Sequence, residues 1–215
     1  VRTSLDRNKR CLVQAMTDKT TKKLATIFEK NNFKRPYFLD IAYKDFFWHD
    51  KVLLLEGQED VGLLKPWLEK NYKNIPFKIL GYGVSGVDNM TLFLDIARDL
   101  GFSKVGVLTD SLDIDKVNTK HKENLDAWEQ ENELEGKNDF YKRLSVSTSD
   151  IRDKFDVDTK KLNQLLVGNK ESYSKEEIKQ CIKKRTGLFC RKGKVKEDQE
   201  QELKTTFDKF YEFFN

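Results

Sequence analysis

Apolar positions along the chain come in three tight runs separated by amphipathic stretches. Val52, Leu53, Leu54 and Leu55 make the first. Ile75, Pro76, Phe77, Lys78, Ile79 and Leu80 make the second, and Val105, Gly106, Val107, Leu108 and Thr109 the third. Runs this short, closed by glycine or an acidic residue, read as buried strands. Residues 60–72 between the first two have helical spacing. Between the second and third, a helix opens at Asn89 with Leu92, Phe93, Ile96, Ala97 and Leu100 as its apolar stripe. Gly101 stands where a C-cap glycine belongs. Strands alternating with helices imply right-handed crossovers and a parallel sheet, so the fold class expected is α/β.

The flanking regions carry weaker patterns. Residues 1–32 read as helical, from Leu12, Ala15, Met16, Leu24, Ile27 and Phe28 at rough helical spacing; Asn31, Asn32, Arg35 and Pro36 mark a break. Residues 37–49 hold six aromatics, read as core or a docking face rather than a base-stacking platform. Residues 118–134 read as a solvated helix anchored by Leu125, Trp128 and Leu134, and residues 144–147 as a fourth, edge-like strand. Ser149 and Asp150 supply an N-cap for a helix over 151–155. Residues 160–186 read as two short helices divided near Gly168 and Asn169. A closing helix spans 199–214, with Leu203, Phe207, Phe210 and Phe214 on one side.

Composition narrows the class. At 215 residues the chain can bury one good core with a small appendage. Charged residues make up 35%, yet the net charge is only +4, the balance of solvated helix faces. Positive charge concentrates at Lys183, Lys184, Arg185, Arg191, Lys192, Lys194 and Lys196, a surface suited to phosphate or, more simply, a solvated basic loop. No apolar run reaches the roughly 18 residues of a membrane span, and no secretory signal pattern opens the chain. Cys11, Cys181 and Cys190 are odd in number and irregularly spaced, as in a reducing compartment. A chain opening on Val1 is expected to be a piece of a longer protein.

Several chemistries drop out. Gly81, Gly83 and Gly86 lack the spacing of a dinucleotide fingerprint, and no GxxxxGK[ST] loop is present. His49 reads as structural and His121 as solvent-exposed; neither has a Ser or Cys partner placed by motif, so no triad is expected.

The acids at the strand ends point elsewhere. The first strand stops at Glu56 and Gly57, and Asp60 follows; the third stops at Asp110, with Asp113 and Asp115 close behind. Open α/β sheets bind ligands outside the carboxyl ends of their strands. Two parallel strands delivering four or five carboxylates to one edge make a site for a hard cation, Mg²⁺ or Mn²⁺. Two such ions about 4 Å apart can hold the attacking water and leaving oxygen of a phosphodiester.

The run Phe46, Phe47, Trp48, His49, Asp50, Lys51, Val52, Leu53, Leu54, Leu55, Glu56, Gly57, Gln58, Glu59, Asp60 closely resembles the opening of the TOPRIM domain in the overcoming-lysogenization-defect (OLD) nucleases. Ser85, Gly86, Val87, Asp88 and Asn89 resemble that family's Gly-x-x-Asn segment, and Leu108, Thr109 and Asp110 its acidic DxD strand end. The resemblance covers about residues 44–115. It implies a TOPRIM, Rossmann-like fold with a small parallel sheet flanked by helices and helical additions at both ends. The domains would be a helical connecting segment over 1–43 and a nuclease domain with a C-terminal helical subdomain over 44–215. It implies a DNA endonuclease using two Mg²⁺ or Mn²⁺ ions. Glu56, Asp60 and Asp110 would be catalytic metal ligands.

The pattern departs from the family in places. Leu112 stands where the second DxD acid belongs, leaving Asp113 or Asp115 to replace it, and Asp60 stands where Glu is more frequent. A further acid after the last strand is matched by Asp150 or Asp153, and the family's phosphate-stabilising lysine by Lys192 or Lys194. The resemblance further implies an ATPase domain upstream, DNA as partner, self-association as an open option, a cytoplasmic location and a role in defence against phage. The alternative is a non-catalytic TOPRIM module that binds DNA or a partner protein. A topoisomerase needs a nucleophilic tyrosine, and none of the seven here has a recognisable setting.

Overall fold

The computed structural model describes residues 2–5, 11–30, 48–81, 87–110, 116–133, 139–146, 151–156 and 194–215. Its centre is a four-stranded sheet of β3 (Lys51–Leu55), β4 (Lys78–Leu80), β5 (Lys104–Thr109) and β6 (Tyr141–Ser145). The spatial order is β4-β3-β5-β6 and every pair is parallel. The helices α2 (Gln58–Asn71), α3 (Val87–Asp99) and α4 (Lys116–Glu131) connect successive strands. A parallel sheet is covered on both faces, which is why Val52, Leu53, Leu54 and Leu55 are all buried without alternation.

On one face Val52, Leu54, Val105 and Val107 pack against α3 through Met90, Phe93 and Ile96, and against α4 through Leu125 and Trp128. On the other, Leu53, Leu55 and Leu108 pack against α2 through Val61, Leu64 and Leu68. There they also meet the closing helix α5 (Glu200–Phe214) through Leu203, Phe207, Phe210 and Phe214. Helix α5 lies close on the sheet because Gly106 has no side chain. A Cβ there would fall 2.9 Å from Phe214 Cζ and 3.0 Å from Phe210 Cε1. At the amino edge of the sheet, Lys51 Nζ donates to the Phe214 carbonyl, Lys104 Nζ to that of Phe213 and Lys142 Nζ to that of Lys209. Cations at a helix C-terminus complement its dipole, so these lysines fix the end of α5.

Several expectations need correction. Residues 2–14 are not helical: β1 (Arg2–Leu5) and β2 (Cys11–Gln14) form an antiparallel hairpin. The helix α1 (Asp18–Lys30) begins only where the Thr17 hydroxyl accepts the Thr20 N–H at 3.3 Å, an N-cap contact. Strand β4 is shorter than residues 75–80, since Pro76 has no N–H to give a ladder. Strand β6 starts three residues earlier than expected, at Tyr141, whose ring is buried against Trp128. Residues 151–155 do not form an α-helix. Residues 151–154 make a 3₁₀ turn, and β7 (Phe155–Asp156) then pairs antiparallel with β8 (Lys194–Val195). Trp48 is 83% exposed rather than core. The rest of the aromatic stretch, residues 37–47, and the two helices expected over 160–186 lie outside the described residues. Among the described residues no helix is long and apolar enough to cross a membrane.

Helix α1 docks on α3 through two buried acids. Asp95 accepts from Lys23 Nζ at 2.6 Å and from Trp128 Nε1 at 2.8 Å, tying α1, α3 and α4 together. Asp99 accepts from the Thr17 N–H and hydroxyl, both at 2.8 Å, at the start of α1. Burial pushes the Asp99 carboxyl up, but hydrogen bonds from Thr20, Thr17 and Arg98 outweigh it and hold the group below its ordinary 3.8. A depressed carboxyl contributes stability above the unfolded value and loses it as pH falls through the folded one. Docking of α1 is therefore expected to be intact at pH 5–7 and to weaken below about pH 4. Amide exchange of the α1 backbone against pH checks this. Asp99→Asn should flatten the profile.

Candidate functional site

The chain leaves β3 toward β4 on one side and leaves β5 toward β6 on the other. The strand order therefore reverses between β3 and β5, and the crevice at their carboxyl ends is where an open α/β sheet binds ligands. Glu56 and Asp110 are the residues that end those two strands. The register carries Leu55 opposite Leu108, so Glu56 comes beside Thr109 and its carboxylate reaches the main chain of the next residue: the Asp110 N–H donates to Glu56 Oε1 at 3.0 Å. Helices α2, α3 and α4 all begin at this edge, because each follows a strand that ends there. Their positive dipole ends favour an anion such as a phosphate in front of the sheet.

The carboxylates are also fastened to backbone. Asp110 Oδ1 accepts from the Ile151 N–H at 2.8 Å and so holds the 151–154 turn under the crevice. Asp60 is buried at the third position of α2, where its Oδ2 accepts the Gly57 N–H at 2.9 Å. This is the acidic half of a capping box; Gly57 has no side chain to return the bond. A carboxylate has about four lone-pair directions, so one N–H contact does not saturate it. Gly57 in turn is pressed by the end of β4. A Cβ on Gly81 would lie 2.3 Å from Gly57 O and 2.4 Å from Val61 Cγ2. Gly81→Ala is expected to cost about 2–3 kcal/mol by overpacking against backbone. Urea denaturation reads this as a lower midpoint at unchanged slope; an unshifted midpoint would mean that the turn has slack.

Of the other sequence candidates, Asp113, Asp115, Asp150 and Lys192 lie outside the described residues. Lys194 falls in β8, paired with Asp156 of β7, directly after the turn that Asp110 holds. Lys194 and Val195 are thus linked by strand pairing to the segment that follows this turn. His49 precedes β3 and lies at the opposite end of the sheet. Among the described residues no group of three or more His, Cys, Asp or Glu side chains gathers closely enough to hold a metal ion.

Three features escaped the sequence reading. Ile151 presents its N–H to Asp110. Lys154 is fully buried, with Nζ donating to Gln199 Oε1 at 2.9 Å and Glu202 Oε2 at 2.5 Å. The Thr109 hydroxyl is buried with no hydrogen-bond partner. A lysine set between Ile151 and Phe155 was the available signal for the second; the others depend on contacts across the fold.

The acidic side chains at this edge, Glu56 and Asp110 after the two central strands and Asp60 in the first turn of α2, offer only oxygen donors. That chemistry fits a hard divalent cation and does not fit a soft one. Compared with protein-family models and with curated proteins, the chain matches none.

Proposed function

We propose that the chain is a TOPRIM-fold, OLD-type nuclease region that hydrolyses DNA phosphodiester bonds with Mg²⁺ or Mn²⁺. The observation that supports this most is the contact of Glu56 with Asp110 across the switch point of the sheet. In this reading Glu56 and Asp110 hold the cation from adjacent strands, and Asp60 adds negative charge from the first turn of α2. When bound, divalent cations would neutralise the phosphate and activate the attacking water. The protein's own part is positional. The Asp110 N–H orients the Glu56 carboxylate, and the Ile151 N–H orients Asp110. The starts of α2, α3 and α4 attract the phosphodiester. Lys192 or Lys194 would offset charge developing on it. Asp113, Asp115 and Asp150 are the acids available to complete the ligand set. An upstream ATPase domain, a cytoplasmic setting and a part in phage defence belong to the same proposal.

A second reading has an observation in its favour. Glu56, Asp60 and Asp110 each already accept a backbone N–H, as structural carboxylates in a non-catalytic, DNA-binding or protein-binding module would. Supercoiled plasmid incubated with the chain and Mg²⁺ or Mn²⁺ separates the two. Metal-dependent nicking lost in both Glu56→Ala and Asp110→Ala supports the nuclease. Binding without nicking, unchanged by those substitutions, supports the module.

A further inference from the structure

Lys154 is fully buried, and the chemistry proposed above gives it no part. Burying an ammonium is costly, and a methionine of similar volume would fill the space without that cost. The ammonium is held at the amino end of α5, where it donates to Gln199 Oε1 at 2.9 Å and to Glu202 Oε2 at 2.5 Å. This fastens one end of the 151–154 turn to the closing helix. The other end of the turn carries the Ile151 N–H, which donates to Asp110 Oδ1 at 2.8 Å. Strand alternation carries Asp110 to the face of Leu108, the layer in which Ile151, Phe155 and α5 pack. A four-residue 3₁₀ turn leading into a two-residue strand pair has little stability of its own. Ile151 and Phe155 bury apolar area, but apolar contact is non-directional and does not fix where an N–H points. The Lys196 N–H donates to the Lys154 carbonyl at 3.0 Å, which ties the turn to the residue after β8. The ion pair adds a directional tie to a helix that is itself packed on the central sheet.

We propose that Lys154 is a positioning residue: clamped by Glu202 and Gln199, it holds the turn so that the Ile151 N–H fixes the orientation of the Asp110 carboxylate. Its bearing on catalysis rests on the nuclease reading above; the clamp itself does not. Amide hydrogen exchange, followed by NMR on the parent and on a Lys154→Met, Glu202→Leu double variant, tests the clamp. The double variant removes both charges together, so the core should keep its stability. The Ile151 amide should exchange about tenfold faster, while the Val107 amide in the ladder of β5 keeps the parent rate. Val107 is an internal reference, because a global loss of stability speeds both amides by the same factor. If the Ile151 amide keeps its rate, or moves only in step with Val107, apolar packing places the turn and the inference fails. Plasmid nicking reads the consequence for the site. The double variant should turn over about tenfold more slowly at unchanged KM, the mark of a misplaced group rather than of lost substrate binding. Nicking at the parent rate with a loosened Ile151 amide overturns the positioning role. A parent chain that does not nick overturns the nuclease reading, and the exchange rates still decide the clamp.

Discussion

Glu56→Gln is expected to fold like the parent chain and to lose metal-dependent nicking by about a thousandfold. The amide oxygen of glutamine can still accept the Asp110 N–H that Glu56 Oε1 accepts at 3.0 Å, so the junction of β3 and β5 survives. The negative charge that holds a cation does not. Glu56→Ala loses both, and leaves the Asp110 N–H without its acceptor, which costs about 1–3 kcal/mol for a half-buried group. Comparing the two separates chemistry from scaffolding. Both variants should fail to nick, and only the alanine should also melt early. If the glutamine variant nicks at the parent rate, Glu56 is a structural staple, and the non-catalytic module becomes the better reading. Asp110→Asn is the matching change on β5. It keeps an acceptor for the Ile151 N–H and should lose activity to a similar extent.

Glu202→Ala is expected to destabilise the fold by about 3 kcal/mol, the scale for removing one partner of a buried ion pair. The pair joins the fully buried Lys154 to Glu202 at 2.5 Å, with Gln199 Oε1 as the second acceptor at 2.9 Å. Taking Glu202 away leaves a fully buried ammonium without its counter-charge, with only the neutral Gln199 Oε1 of this pair of acceptors to receive it. The cost should disappear when both partners are replaced together. A Lys154→Met, Glu202→Leu double variant should unfold near the parent midpoint, as buried pairs exchanged for apolar groups often do. Denaturation of the two single variants and the double variant gives the coupling. A single-variant loss below about 0.5 kcal/mol would mean that the pair behaves as an exposed one. The same contact anchors the turn that meets Asp110, so Glu202→Ala should also slow nicking, without touching a proposed ligand.

The two central strands were legible because their apolar runs end abruptly, whereas β6, Tyr141–Ser145, carries no such run and its start was misplaced. Leu55 gives way to Glu56, and Thr109 to Asp110, within one residue. Buried strands tolerate no such charge, so an acid in that place marks the edge. Glu56 comes beside the main chain of Asp110 because β5 runs one residue further than β3 past their shared register. The hairpin of β1 and β2 was not legible, because four-residue strands carry too few positions to separate a period of two from one of 3.6. Nor was the turn at 151–154. Its form is set by a side chain 41 residues earlier, Asp110, and by one 48 residues later, Glu202. The exposed Trp48 shows the limit of composition. An aromatic-rich stretch says that apolar area is available and not which ring is covered. Asp60 shows that one residue can satisfy two readings. It caps α2 by local geometry and stands beside the carboxylate edge by topology.

The most direct measurement is a crystal of the chain grown with Mn²⁺ and recorded at the manganese absorption edge. The nuclease reading requires anomalous density about 2.0–2.3 Å from carboxylate oxygens of both Glu56 and Asp110. Density bound elsewhere, or none, with those two acids engaged only by the backbone, would contradict it.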